Sequence, residues 1–127
     1  MLLLDSQALV WLMEDNPKLG KQTREKIARA VAVHFSSASI WELTIKAMLN
    51  KLTLPDGFHG SVIDAGLTEL PLTSAHASAI SLFPQLVRHD PFDRLLIAQA
   101  SVENLQLITA DRVLLALSDA PVFNAAS

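Results

Sequence analysis

Apolar and polar positions along the chain alternate between two rhythms. "MLLLD" opens with a short apolar run that ends on an acid, and Ala8, Leu9, Leu12 and Met13 then recur at helical spacing. This predicts a strand followed by a helix. "NPKLGKQTREKIARAV" is polar and amphipathic and predicts a second helix, carrying Lys18, Lys21, Arg24, Lys26 and Arg29. The pair repeats as "AVHFSS", a β-prone run, and "ASIWELTIKAMLNKL", helical through Ile40, Leu43, Ala47 and Met48. Pro55, Gly57 and Gly60 mark a turn region before a short helix near "SVIDAGL" and a third strand in "TELPL". "TSAHASAISLF" reads as helix from a Thr73 or Ser74 cap as far as Pro84, and "DPFDRLLIAQA" starts a helix that runs to about Asn104. "LQLITAD" is a fourth strand, "RVLLAL" a short helix and "APVFNA" a last strand.

Nearly continuous apolar strands alternating with helices predict an α/β fold, with a mainly parallel sheet covered on both faces. Right-handed crossovers then gather the strand ends that lead into helices on one edge, where such folds bind ligands. At 127 residues with half of them apolar, the chain is expected to form a single domain over 1–127. No apolar run approaches the roughly 20 residues of a membrane span, and nothing resembles a secretory signal. The absence of cysteine excludes disulfides and thiolate metal sites and suits a reducing cytoplasm. A net charge of −3 gives no overall attraction for nucleic acid, unless several acids are neutralised together by bound cations.

The positions of the acids raise that possibility. Asp5 ends the first strand, Glu42 falls in what reads as the first turn of the helix after "AVHFSS", and Asp111 follows the fourth strand. Asp93 lies in a first helical turn, and a helix docked beside the sheet edge would bring it to the other three. Capping competes with this reading at every position. Ser39 and Glu42 form S-x-x-E, a capping box; Asp111 suits an N-cap; Asp90 followed by Pro91 is a cap by its spacing. Asp5 is harder to explain so, because Ser6 can take the cap and leave an acid at the end of a buried strand. Asp93 is similar, since Asp90 already caps its helix and Leu96, Ile97 and Ala100 share its face. Four carboxylates meeting in apolar surroundings repel one another, and hard Mg²⁺ or Mn²⁺ is what such oxygen clusters bind.

With these acids in view, the chain resembles the PIN-domain ribonucleases, and among them the VapC toxins of bacterial toxin–antitoxin pairs. "MLLLDSQALVWLM", "SSASIWELTIKAMLNKL", "HDPFDRLLIAQA" and "LQLITADRVL" carry the resemblance, in the family's order. It implies an α/β/α fold, a Mg²⁺- or Mn²⁺-dependent endoribonuclease releasing 5′-phosphate and 3′-hydroxyl ends, and inhibition by a cognate VapB-like antitoxin. By position it implies Asp5 and Asp93 as principal metal ligands, Glu42 as the third acid, and Asp111 as the fourth, acting directly or through water. Ser6 matches the hydroxyl residue after the first aspartate and stands where Thr is commoner. Asp90 matches an acid of the "DPFD" branch alone.

The expected chemistry is an in-line displacement, with Asp5, Glu42 and Asp93 around one ion and Asp93 with Asp111 near a second. Arg94 and Arg112 adjoin expected ligands and are candidates for substrate phosphate, as are the basic residues of "KLGKQTREKIARAV". His34, His59 and His76 fall in unrelated segments, and His89 is expected at the surface. Trp11 and Trp41 are expected in the core. A mean hydropathy of +0.32 leaves apolar surface for a partner, and the resemblance implies a homodimer and an antitoxin there. Two other readings compete: a receiver-like signalling domain with an acidic Mg²⁺ pocket, and a non-catalytic PIN-like binding protein. The first needs paired acids after the first strand and a late Lys, whereas Ser6 and Gln7 follow Asp5 and no Lys follows Lys51. A haloacid-dehalogenase-like phosphatase needs D-x-D, which Asp5-Ser6-Gln7 does not provide.

Overall fold

The computed structural model describes residues 1–127. Five short strands form one sheet: β1 (Leu2–Leu4), β2 (Val33–Ser36), β3 (Thr68–Leu70), β4 (Gln106–Thr109) and β5 (Val122–Asn124). Their order is β3-β2-β1-β4-β5 and every pairing is parallel. The chain therefore winds outward from β1 to β3, returns past β1, and winds the other way through β4 and β5. The reversal falls between β1 and β4, where folds of this kind open a crevice at the carboxyl edge. A receiver-type sheet has the order 2-1-3-4-5 and does not match.

Strand alternation divides the core. Leu2 and Leu4 of β1 and Ile108 of β4 enter one apolar cluster, with Leu9, Phe35, Leu43 and Val62. Leu3 and Leu107 point the other way, to Leu96, Ile97, Ala100 and Leu114. Helices cover both faces because a strand buried on both sides must find apolar partners on both. On the first face lie α1 (Ser6–Met13), α2 (Lys21–Arg29), α3 (Ser37–Met48) and α4 (Phe58–Asp64); on the second lie α6 (Pro91–Glu103) and α7 (Arg112–Leu115).

Several boundaries differ from the sequence reading. The second helix begins at Lys21, after Gly20, and not within "NPKLG". "TSAHASAISLF" is not one helix: α5 (Ser74–Ser78), capped by Thr73, gives way to 3₁₀ turns at Ala79–Leu82 and Pro84–Leu86. His76, buried in α5, accepts at Nδ1 from the Thr73 N–H and approaches Glu103 through Nε2 at 2.8 Å, tying α5 to α6. Trp11 packs against the first cluster, as expected. Trp41 does not: it is 58% exposed and meets Phe92 edge to face at 5.4 Å.

Gly20 sits where the end of the chain crosses the start of α2. Its N–H donates to the Ala125 carbonyl at 2.9 Å, and a Cβ there would stand 2.1 Å from the Ser127 carbonyl oxygen and 2.5 Å from that of Ala126. Gly20→Ala is expected to displace this segment and lower stability by about 1–3 kcal/mol, read as a fall in the urea midpoint.

Candidate functional site

The crevice at the sheet reversal is lined by five carboxylates, Asp5, Glu42, Asp90, Asp93 and Asp111, in a cleft of about 410 Å³. Lys46 is the one cation among its lining residues. All four acids singled out in the sequence come together here, each placed by a different element.

Asp5 is held at the end of β1, where its N–H still donates to the Ile108 carbonyl at 3.0 Å. Its side chain also caps α1, with Oδ1 accepting from the Ala8 N–H at 2.7 Å. The cap expected of Ser6 thus belongs to Asp5. Ser6 instead donates from Oγ to Glu42 Oε1 at 2.6 Å and lies 3.0 Å from Ser39 Oγ. Asp5 is only 5% exposed, and burial pushes its carboxyl up to about 6, against the downward pull of hydrogen bonds from Thr109 and Ala8. Glu42 and Asp111 add repulsion from across the cleft.

Glu42 is in the second turn of α3, not the first. The helix starts at Ser37 with Ser36 as its cap, three residues before the S-x-x-E reading would place it, so no Ser39–Glu42 capping box forms. Freed from capping, Glu42 turns inward and is buried. Its second oxygen, Oε2, accepts from Lys46 Nζ at 2.6 Å, one turn on. That hydrogen bond, and the surrounding acids, raise the Lys46 ammonium above its usual range despite partial burial.

Asp90 caps α6 as the sequence predicts, its Oδ1 accepting from the Phe92 and Asp93 N–H groups. Asp93 is thereby released from capping. Burial is the main reason its carboxyl rises to about 8; a hydrogen bond with Asp111 and repulsion from Asp90, Asp111 and Asp5 follow. Asp111 caps α7, with Oδ1 accepting from the Val113 and Leu114 N–H groups. Burial would push it up as well, but the bonds from Leu114, Asp93 and His89 outweigh burial and hold it below the usual range. The two shifts run in opposite directions, so a proton is held more tightly at Asp93 and less tightly at Asp111.

His89 corrects the sequence reading. It is only partly exposed, at 21%, and turns toward the site: its Nε2 lies 3.1 Å from Asp111 Oδ2 and 3.4 Å from Asp93 Oδ2. His34, His59 and His76 remain apart from the site. Arg94 donates from Nη1 to the Val87 carbonyl, and Arg112 is exposed. Of the basic residues on α2, Arg24 is taken up by Asp15 and the Leu19 and Asn16 carbonyls, and Lys26 lies over the Phe123 ring at 4.8 Å.

The donor set fits a hard divalent cation. Five carboxylates face one ammonium, no thiolate is present, and the raised Asp5 and Asp93 carboxyls mark negative charge that is poorly compensated in the cleft. Asp5 and Asp111 cap α1 and α7, and Asp93 lies in the first turn of α6, so three helix N-termini face the cleft. Their dipoles favour negative charge there, whether carboxylate or phosphate.

Comparison with known proteins adds a family and a set of folds. Among solved structures, the chain superposes on a toxin–antitoxin complex from Klebsiella pneumoniae with a TM-score of 0.70, 15% identity and 98% of each chain covered. VapBC2 from Rickettsia felis, bound to a DNA fragment from its promoter, gives 0.67 at 16% identity over 96% of each chain. FitAcB from Neisseria gonorrhoeae gives 0.66 at 19% identity over 98% of each. At these identities the likeness is one of fold. No curated protein sequence matches the chain. The profile of the PIN domain, however, matches residues 2–119, nearly the whole length, and the chain accordingly belongs to the PIN domain family.

Proposed function

We propose that the protein is a Mg²⁺- or Mn²⁺-dependent endoribonuclease and the toxin of a toxin–antitoxin pair. The observation that carries this reading is the convergence of Asp5, Glu42, Asp93 and Asp111 on one cleft at the sheet reversal. Asp5 and Asp93 are the principal ligands in this reading, Glu42 the third acid and Asp111 the fourth. A bound divalent ion supplies an activated water and neutralises charge on the phosphate.

The remaining work belongs to the chain. Ser6 and Lys46 each occupy one oxygen of Glu42, which fixes the carboxylate's plane before substrate arrives. Lys46, half in solvent, lies on the cleft wall where a phosphate oxygen can reach it. Hydrolysis forms a bond from water oxygen to phosphorus and breaks the bond to the 3′ oxygen, leaving 5′-phosphate and 3′-hydroxyl ends. No histidine pair is placed for a cyclic-phosphate route, since only His89 is near the cleft.

A cognate antitoxin, a second copy of the chain and work in the cytoplasm complete the proposal. Structural neighbours solved as toxin–antitoxin complexes support the first. Exposed Trp41, Met48 and Leu49 leave apolar surface on and just beyond α3 for a partner. No helix is long and apolar enough to cross a membrane.

Incubating purified protein with total RNA tests the reading. Cleavage is expected with Mg²⁺ or Mn²⁺, none with chelator, and 5′-phosphate ends at the cuts. Chelator-resistant cleavage, or cyclic-phosphate ends, would overturn it.

A further inference from the structure

We propose that His89 is a nitrogen ligand to a divalent cation held with Asp93 and Asp111, making this position selective for Mn²⁺ over Mg²⁺. The inference rests on the metal-dependent reading above and goes beyond its all-carboxylate ligand set. Nε2 of His89 and one oxygen from each aspartate all lie within 4.8 Å of one another. The His89 separations, 3.1 and 3.4 Å, are close to the roughly 3 Å between adjacent ligand atoms around an octahedral ion with bonds of about 2.1 Å. A single ring N–H can aim well at only one of two oxygens, whereas a cation between the three atoms engages all of them.

Two further features favour a distinct position. His89 is not among the residues lining the cleft that holds Asp5 and Glu42, yet it reaches the two acids that sit between. Asp111 has its Oδ1 committed to two backbone N–H groups of α7, so only Oδ2 is left, and that is the atom beside His89. The histidine is itself placed by its N–H bond to the Leu86 carbonyl at 2.9 Å and by the cap at Asp90 that follows. Mg²⁺ prefers oxygen and keeps its waters; an imidazole in the set favours a transition metal, and among these Mn²⁺ is the hardest and best matched to carboxylate oxygen.

Mn²⁺ added to the full chain provides the test. Electron spin-echo modulation of the bound Mn²⁺ should show coupling to a nitrogen nucleus, and the pattern should change when the protein is made with histidine carrying the heavy nitrogen isotope. In His89→Ala and His89→Asn the nitrogen modulation should vanish and Mn²⁺ affinity fall by about tenfold or more, with Mg²⁺ affinity falling less. Mn²⁺ bound without nitrogen coupling overturns the proposal and leaves the metal-dependent reading standing, as does coupling that survives in His89→Ala. Absence of any Mn²⁺ binding overturns both. The isotope comparison uses the unaltered chain, so the outcome does not depend on either variant folding.

Discussion

Asp93→Asn is expected to abolish divalent-ion-dependent RNA cleavage, with a loss on the order of 10²–10³-fold or more. The same change should make the metal-free protein harder to unfold at pH 8. Both effects have one cause. Asp93 is a partly buried acid that capping does not need, because Asp90 already accepts from the two N–H groups at the start of α6. It stands among four other carboxylates at the cost of native-state repulsion, and asparagine removes that repulsion together with the ligand. Asp5→Asn should cause a comparable loss of cleavage, and the choice of substituent matters. Asparagine can still accept from the Ala8 N–H and keep α1 capped, whereas alanine adds the loss of a cap, about 1 kcal/mol, to any loss of chemistry. Asp90→Asn should affect cleavage less than Asp93→Asn, since its Oδ1 is taken up by the helix cap. Cleavage rates on a labelled oligonucleotide, with helix content followed by circular dichroism, separate these outcomes. Full activity in Asp93→Asn would sink the assignment.

The contrast between Asp90 and Asp93 was legible in the sequence because proline fixes where a helix begins. With Pro91 at the first helical position, Asp90 must be the cap and Asp93 must sit one turn in, with a side chain to spare. No such marker fixes α3. The run Ser36, Ser37, Ala38, Ser39 offers several caps, and the local signature S-x-x-E selected the wrong one. Glu42 was still recognisable as a candidate because an acid within two turns of a strand end reaches the same edge under either choice of start. Asp5 reaches the cleft, but one of its oxygens does the capping that the sequence assigns to Ser6, and the serine hydroxyl is used to steer Glu42.

Residues that depend on long-range contact were beyond local reasoning. His89 meets Asp111 across 22 positions, and nothing in "VRHDPF" signals the strand that brings Asp111 alongside. Trp41 was misplaced for a different reason. The helical stripe of Ile40, Leu43 and Ala47 leaves position 41 pointing away from the core, so periodicity would have exposed it where residue type suggested burial. The sheet order, by contrast, follows from the alternation of strands and helices only as far as its parallel sense. That β4 returns to pair with β1 is decided by the packing of the whole chain, and it is this return that joins Asp5 to Asp111.

The stability of the metal-free protein should fall as pH rises from 5 to 8, and divalent cation should restore it. A carboxyl whose pKa is raised on folding binds its proton more tightly in the native state than in the unfolded chain. Its contribution is complete below its ordinary value of 3.8 and is lost as pH climbs through the folded value. For Asp5, raised to about 6, the loss is on the order of 3 kcal/mol and is largely spent by pH 7. Asp93, raised to about 8, carries the trend further. A cation that replaces these protons gains where they are absent and must displace them where they are present. Saturating Mn²⁺ should therefore raise the melting temperature strongly at pH 8 and weakly at pH 5. Thermal unfolding with and without metal at the two pH values measures all four states. The double variant Asp5→Asn, Asp93→Asn supplies the reference, since it retains every other titrating group and should lose both the pH slope assigned to this site and the metal-induced rise. A metal-free slope identical in the double variant would show that the slope arises elsewhere in the molecule. An equal metal-induced rise at pH 5 and pH 8 would show that the ion binds without displacing protons, and therefore not at Asp5 and Asp93.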